Sequence, residues 1–172
     1  TTLNNPLAVL SLSGPGTVTW NDTTGGTLTL LDGTVDLNGG SAVFSKGFSQ
    51  SGGIFYGRTG TISATTFDLS GGTFNAPTGA FALSSTYTQS GGTFNGGSGA
   101  MTVAGVFTQS GGVFDASART VALNGNFTLS DGTFKTGTNR ITFGDASADI
   151  VTISGGILEI QSDDTTQTGD IV

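Results

Sequence analysis

An eight-residue phrase returns through this chain about every twenty residues, and a chain built that way must stack its copies to bury their apolar side chains. Phe48-Ser-Gln-Ser-Gly-Gly-Ile-Phe55 recurs as Phe67-Asp-Leu-Ser-Gly-Gly-Thr-Phe74, Tyr87-Thr-Gln-Ser-Gly-Gly-Thr-Phe94 and Phe107-Thr-Gln-Ser-Gly-Gly-Val-Phe114. It continues as Phe127-Thr-Leu-Ser-Asp-Gly-Thr-Phe134 and, more loosely, as Val151-Thr-Ile-Ser-Gly-Gly-Ile-Leu158. Upstream, Leu28-Thr-Leu-Leu-Asp-Gly-Thr-Val35 fits, and Leu10-Ser-Leu-Ser-Gly-Pro-Gly-Thr-Val18 fits with one inserted residue. Starts at 28, 48, 67, 87, 107 and 127 give steps of 20, 19, 20, 20 and 20.

Counted from the first residue of each unit, apolar side chains fall at positions 1 and 3, 8 and 10, and 15 and 17. Each pair brackets a residue suited to solvent, the period-two pattern of a strand with one buried face. Three short strands per unit with no helical segment between them exclude a βαβ sheet. They predict an all-β fold: a three-sided parallel β-helix, or β-solenoid, of about eight coils of roughly 20 residues, right-handed by the usual preference. Residues 1–172 then form a single solenoid domain, with regular coils over 28–143 and looser terminal coils at 1–27 and 144–172. At one strand spacing per coil the rod is about 38 Å long.

Stacking turns like positions into columns. Phe48, Phe67, Tyr87, Phe107 and Phe127 form one predicted core ladder, and Phe55, Phe74, Phe94, Phe114 and Phe134 another. The Gly-Gly pair at positions 5 and 6 marks a corner that needs positive φ, and Asp32 and Asp131, replacing its first glycine, are of a type tolerated there. Position 3 alternates between leucine and glutamine. Buried glutamines need partners, so Gln89 and Gln109 are expected to bond to each other or to corner backbone groups.

Composition removes function classes. The chain has no cysteine and no histidine, hence no disulfides, thiolate nucleophile, imidazole base or Cys/His zinc site. A net charge of −7 with only five basic residues argues against nucleic acid. No stretch reaches the roughly 18 apolar residues of a membrane helix. Leu, Ile, Val and Phe total 43 of 172 residues, enough to build a core rather than leave the chain disordered. The chain opens on Thr1, as expected of a processed chain or a segment of a longer polypeptide. Its Thr/Gly/Ser/Asn-rich, Lys-poor composition points to an extracellular or cell-surface location.

Catalysis would have to rest on carboxylates. Asp115, Arg119 and Lys135 fall near one corner of adjacent coils, where surface ion pairing accounts for them without catalysis. Calcium solenoids need Gly-Gly-x-Gly-x-Asp in series, and the nearest match, Gly96-Gly-Ser-Gly-Ala-Met101, lacks the aspartate. Asp145/Asp149 and Asp163/Asp164 read as solvated loop charge, with an isolated calcium site left open. Outward threonines at position 2 (Thr88, Thr108, Thr128, Thr152) and position 7 (Thr73, Thr93, Thr133) suggest an ice-binding array, interrupted by Asp68, Val113 and Lys135. Asn21-Asp-Thr23 and Asn126-Phe-Thr128 match the glycosylation pattern, a weak signal in so threonine-rich a chain. No catalytic, cofactor-binding or metal-ligating residue is assigned.

The Phe-Thr-Gln-Ser-Gly-Gly-Thr-Phe units resemble the repetitive β-helical shafts of secreted bacterial surface proteins, such as filamentous haemagglutinin-like adhesins and autotransporter passengers. Leu12-Ser-Gly-Pro-Gly-Thr-Val18 followed by Gly25-Gly-Thr-Leu-Thr-Leu30 is similar to the autotransporter-associated repeat. The resemblance spans about residues 10–160 and implies a shaft, spacer or fibre role, with no binding residues to carry over.

The expected function is therefore non-enzymatic: a β-solenoid subunit or segment of a bacterial extracellular fibre, adhesin shaft or surface layer. No helix is available to cap either end, so terminal coils expose strand edges. The expected partners are identical subunits joined head to tail, or flanking solenoid coils of a longer chain. Leu7, Val9, Leu10 and Trp20 are the end contacts on one side, and Ile157, Leu158, Ile160, Ile171 and Val172 on the other. The alternative is a carbohydrate-binding or carbohydrate-active β-helix that meets cell-surface glycans with an outer face.

Overall fold

The computed structural model describes residues 2–3, 9–11, 17–20, 27–145 and 148–161. No helix occurs among them. Their strands are, in chain order, β1 (Thr2–Leu3), β2 (Val9–Ser11), β3 (Thr17–Trp20), β4 (Leu28–Leu30), β5 (Thr34–Asp36), β6 (Ser41–Gln50), β7 (Ile54–Tyr56), β8 (Ile62–Leu69), β9 (Thr73–Asn75) and β10 (Phe81–Leu83). There follow β11 (Tyr87–Gln89), β12 (Thr93–Asn95), β13 (Met101–Val103), β14 (Phe107–Asp115), β15 (Val121–Leu123), β16 (Phe127–Lys135), β17 (Ile141–Phe143), β18 (Val151–Ile153) and β19 (Ile157–Glu159).

Every pairing is parallel, and the strands fall into three series. The first runs β1, β4, the end of β6, the end of β8, β11, the start of β14, the start of β16 and β18. The second runs β2, β5, β7, β9, β12, the end of β14, the end of β16 and β19. The third runs β3, the start of β6, the start of β8, β10, β13, β15 and β17. Each residue thus pairs with its equivalent one repeat away, and the chain is a parallel β-solenoid of stacked coils.

Alternation along each strand sends one set of side chains into the tube. Positions 1, 8 and 15 are buried coil after coil, as Phe67, Phe74 and Phe81, then Tyr87, Phe94 and Met101, then Phe107, Phe114 and Val121. Both aromatic ladders are continuous. Ring centroids along Phe48, Phe67, Tyr87, Phe107 and Phe127 are 5.8, 5.2, 4.4 and 5.4 Å apart, and along Phe55, Phe74, Phe94, Phe114 and Phe134 they are 4.6, 5.5, 4.7 and 4.6 Å apart. The columns meet edge to face, with Phe107 and Phe114 at 88°. Burying each ring contributes roughly 1.5–3 kcal/mol as an upper figure.

At the first corner the left-handed residue is position 6 alone. Gly53, Gly72, Gly92 and Gly112 have φ of 64°, 74°, 64° and 71°. The expectation that Asp32 and Asp131 occupy a positive-φ site is corrected: they stand at position 5, and each accepts a 2.7 Å hydrogen bond from the following glycine, Gly33 or Gly132. Glycine is common at position 5 for another reason. A Cβ on Gly91 would lie 2.3 Å from the Ser70 carbonyl oxygen of the coil beneath. Asp131 is accommodated where the β14/β16 register shifts, pairing with Ser110.

A second left-handed corner, absent from the sequence reading, lies at position 11. Asn38, Arg58 and Ser117 have φ of 46°, 56° and 55°. Asp36 and Asp115, two residues earlier, accept from the backbone N–H of Asn38 at 2.8 Å and of Ser117 at 2.7 Å, the side-chain turn that lets a non-glycine residue hold this conformation.

The first coil is also in a different register from the expected one. Leu10 pairs with Val35 and Val18 with Ala42, so Leu10 holds position 8 and Val18 position 15, rather than positions 1 and 8. Position 3 of this coil is Leu3, paired with Leu30. Extra residues between these strands, which the later coils lack, had displaced the apparent match.

Candidate functional site

The predicted Asp115, Arg119 and Lys135 cluster is assembled only in part: Asp115 and Lys135 are register partners on β14 and β16, and Arg119 is buried apart from them. Asp115 serves the Ser117 turn, and Lys135 Nζ pairs with Glu159 Oε2 at 3.7 Å. Arg119 is 0% exposed. It stands at position 13, where Gly40, Gly60, Gly79 and Gly99 occupy the preceding coils, and its buried side chain carries the guanidinium alongside Gly97. Nη1 donates to the Ala100 carbonyl at 3.0 Å and Nη2 to that of Pro77, so one guanidinium links three successive coils. Nε has no partner among the described residues, and burial lowers the pKa to about 10. The inward parity of position 13 was the sequence signal for this, masked by the glycines that fill it elsewhere.

The buried glutamines use the second of their two expected partner sets. Gln89 Nε2 donates to the carbonyls of Gly91, Gly92 and Val113 at 3.2, 3.3 and 2.9 Å, tying its own corner to the next coil. Gln50 and Gln109 repeat this on Gly52, Gly53 and Thr73, and on Gly111, Gly112 and Thr133.

Outside the tube, chemistry is sparse. Arg58 pairs with Asp36 at 2.8 Å and lies over the Tyr56 ring at 4.6 Å; the bond holds the Asp36 carboxyl below its usual range. Among the described residues no three His, Cys, Asp or Glu side chains converge as a metal-ion site. Asp149 accepts from the Asp145 N–H at 3.0 Å within its own loop, and Asp163/Asp164 lie outside the described residues. Asn126 Oδ1 accepts from the Ile150 N–H at 2.9 Å. The threonine column Thr88, Thr108, Thr128 and Thr152 is in register, as is Thr73 with Thr93. Shallow hollows open on the third series, among them the following two. One, about 360 Å³, includes Val43, Ser45, Ser63, Thr65, Ala82 and Ser84. The other, about 340 Å³, includes Thr102, Thr120, Arg140 and Thr142. Neither contains a carboxylate. No described helix is long and apolar enough to cross a membrane.

Among the described residues, exposed isoleucines gather at the C-terminal end. Ile150, Ile153, Ile157 and Ile160 are 60%, 40%, 60% and 53% exposed. β18 and β19 pair with β16 on one edge, and no described residue pairs with the other. Leu158, among the predicted contacts, is partly buried against the core. At the opposite end β1, β2 and β3 likewise have one edge paired. Val9 and Trp20 lie on β2 and β3, and Leu10 is 38% exposed. Leu7, Ile171 and Val172 lie outside the described residues.

No family model, no curated protein and no solved structure matches the chain. What the architecture itself establishes is a repeat protein with a parallel β-solenoid fold.

Proposed function

We propose that the chain is a non-enzymatic structural element, a solenoid subunit or segment of a bacterial extracellular fibre, adhesin shaft or surface layer that associates end to end. The observation that carries this reading is the pair of terminal coils whose outer strand edges have no described partner, one of them rimmed by exposed isoleucines. Unpaired edges and apolar rims are what another solenoid coil covers. Such a contact joins unlike surfaces and does not close on itself, so it propagates as a filament. A chain rich in Thr, Gly, Ser and Asn and poor in lysine suits the extracellular setting. Negative-stain electron microscopy and sedimentation over a concentration series test it: rods that lengthen with concentration are expected, and particles of one coil-stack length throughout would end the reading.

A second reading, glycan binding on the outer face, is favoured by the hydroxyls of Ser45, Ser63, Thr65 and Ser84 around the larger hollow. The absence of a carboxylate among its lining residues favours binding over hydrolysis. A glycan array probed with the wild-type chain and with Ser63→Tyr, which fills the hollow, separates this from the first reading.

A further inference from the structure

We propose that the end-to-end contact continues the solenoid's own parallel ladder, with the first coil of a second copy laid on the last described coil in one fixed register. The inference rests on the fibre reading and adds the partner surface and its alignment. The outermost described strands at the two ends hold matching points of the repeat. The C-terminal end presents β18 at positions 1–3 and β19 at positions 7–9, through their pairings with Phe127, Thr128 and Leu129 and with Thr133, Phe134 and Lys135. At the N-terminal end, Thr2 and Leu3 pair with Thr29 and Leu30, and Val9, Leu10 and Ser11 with Thr34, Val35 and Asp36. One further step of the same register sets Thr2 of the second copy on Thr152, Leu3 on Ile153, Val9 on Ile157, Leu10 on Leu158 and Ser11 on Glu159.

Burial within the chain shows what that step accomplishes. Leu129 and Ile153 hold the same inward position one coil apart, yet Leu129 is 0% exposed and Ile153 is 40% exposed. The difference is the surface that a covering coil removes from water. Leu3 and Leu10 of the incoming copy are in register with Leu30 and Val35, both buried, so the joint continues those two columns over Ile153 and Leu158. Thr152 is exposed, and the register sets Thr2 next in line after it in the threonine column. The described third series stops one coil earlier, at β17, so the joint rests on two series.

The chain has no native cysteine, which makes the register directly readable. Paired Cα atoms on neighbouring strands stand about 4.7–4.9 Å apart, within the 4.4–6.8 Å span of disulfides. The full chain carrying Thr2→Cys and Thr152→Cys is oxidised across a concentration series and run on a non-reducing gel beside the offset pair Thr2→Cys and Glu159→Cys. The expected result is a ladder of disulfide-linked multimers for the aligned pair, about tenfold more abundant than for the offset pair, because geometry selects the bond. Filaments with equal yields from both pairs, or more from the offset pair, would overturn the register and leave the fibre reading standing. Monomers at every concentration by sedimentation would overturn both and assign the edge to another cover, such as the chain's own residues 162–172.

Discussion

The phenolic hydroxyl of Tyr87 donates to Oε1 of Gln89 at 3.0 Å, inside the tube and two residues along the same strand. Position 1 is phenylalanine in the coils of Gln50 and Gln109, and there the equivalent oxygen, also buried, has no partner among the described residues. One coil therefore completes a glutamine that two others leave half satisfied. Tyr87→Phe is expected to lower stability by about 1–3 kcal/mol, the cost of orphaning a buried acceptor, and Phe107→Tyr to raise it by about 0.5–1.5 kcal/mol. Urea unfolding midpoints of the two variants check both signs.

Two buried groups pull stability in opposite directions in alkali. Burial raises the Tyr87 pKa well above 10, so the unfolded chain sheds this proton first and stability falls as pH climbs beyond that value. Burial lowers Arg119 to about 10, so the folded chain releases this proton first; the penalty is constant below about pH 10 and is relieved above it. Against wild type, Tyr87→Phe is expected to lose less stability between about pH 9 and 11, and Arg119→Met to lose more. Denaturant titrations at those pH values measure each slope.

Arg119 bonds carbonyls on two different coils, which a single ammonium reproduces poorly. Arg119→Ala is expected to destabilise by about 2–4 kcal/mol, leaving both buried acceptors and the corner unfilled, and Arg119→Lys to recover less than half of that. Recovery to wild-type stability by lysine would show that charge rather than reach is the contribution.

The two corner glycines are expected to fail for different reasons. Gly92→Ala forces an L side chain to φ of 64° and puts its Cβ 2.8 Å from the Gly71 carbonyl carbon, whereas Gly91→Ala meets the Ser70 oxygen at 2.3 Å with no φ penalty. Both are expected to destabilise, Gly92→Ala by at least about 1–3 kcal/mol. Gly91→Asp, which copies Asp131, is expected to be milder than Gly92→Asp because its carboxylate can cap the following N–H. Thermal melts of the four variants give the ranking.

Legibility followed repetition. Positions 1, 8 and 15 were readable because each recurs at the same parity in coil after coil, and their side chains are the ones the structure buries. The corner was placed correctly but its chirality was assigned one residue early, because aspartate at position 5 suggests tolerance of positive φ when its actual use is to bind the next N–H. The first coil was misaligned because Leu10 to Val18 copies the spacing of a unit without its register. Arg119 was unreadable for a different reason: arginine in a turn reads as solvated, and the glycines at its position in the coils beneath carry no side chain to show that the position faces inward.

Each turn of the tube touches the turn before and the turn after through the same residue-for-residue pairing. Excising residues 87–106 would bring Phe67 onto Phe107 and Phe74 onto Phe114, rejoining both aromatic columns without a mismatch. Gene duplication or deletion in steps of one repeat can consequently set the reach of such a molecule as freely as links set the length of a chain, leaving its girth and its two termini as they were.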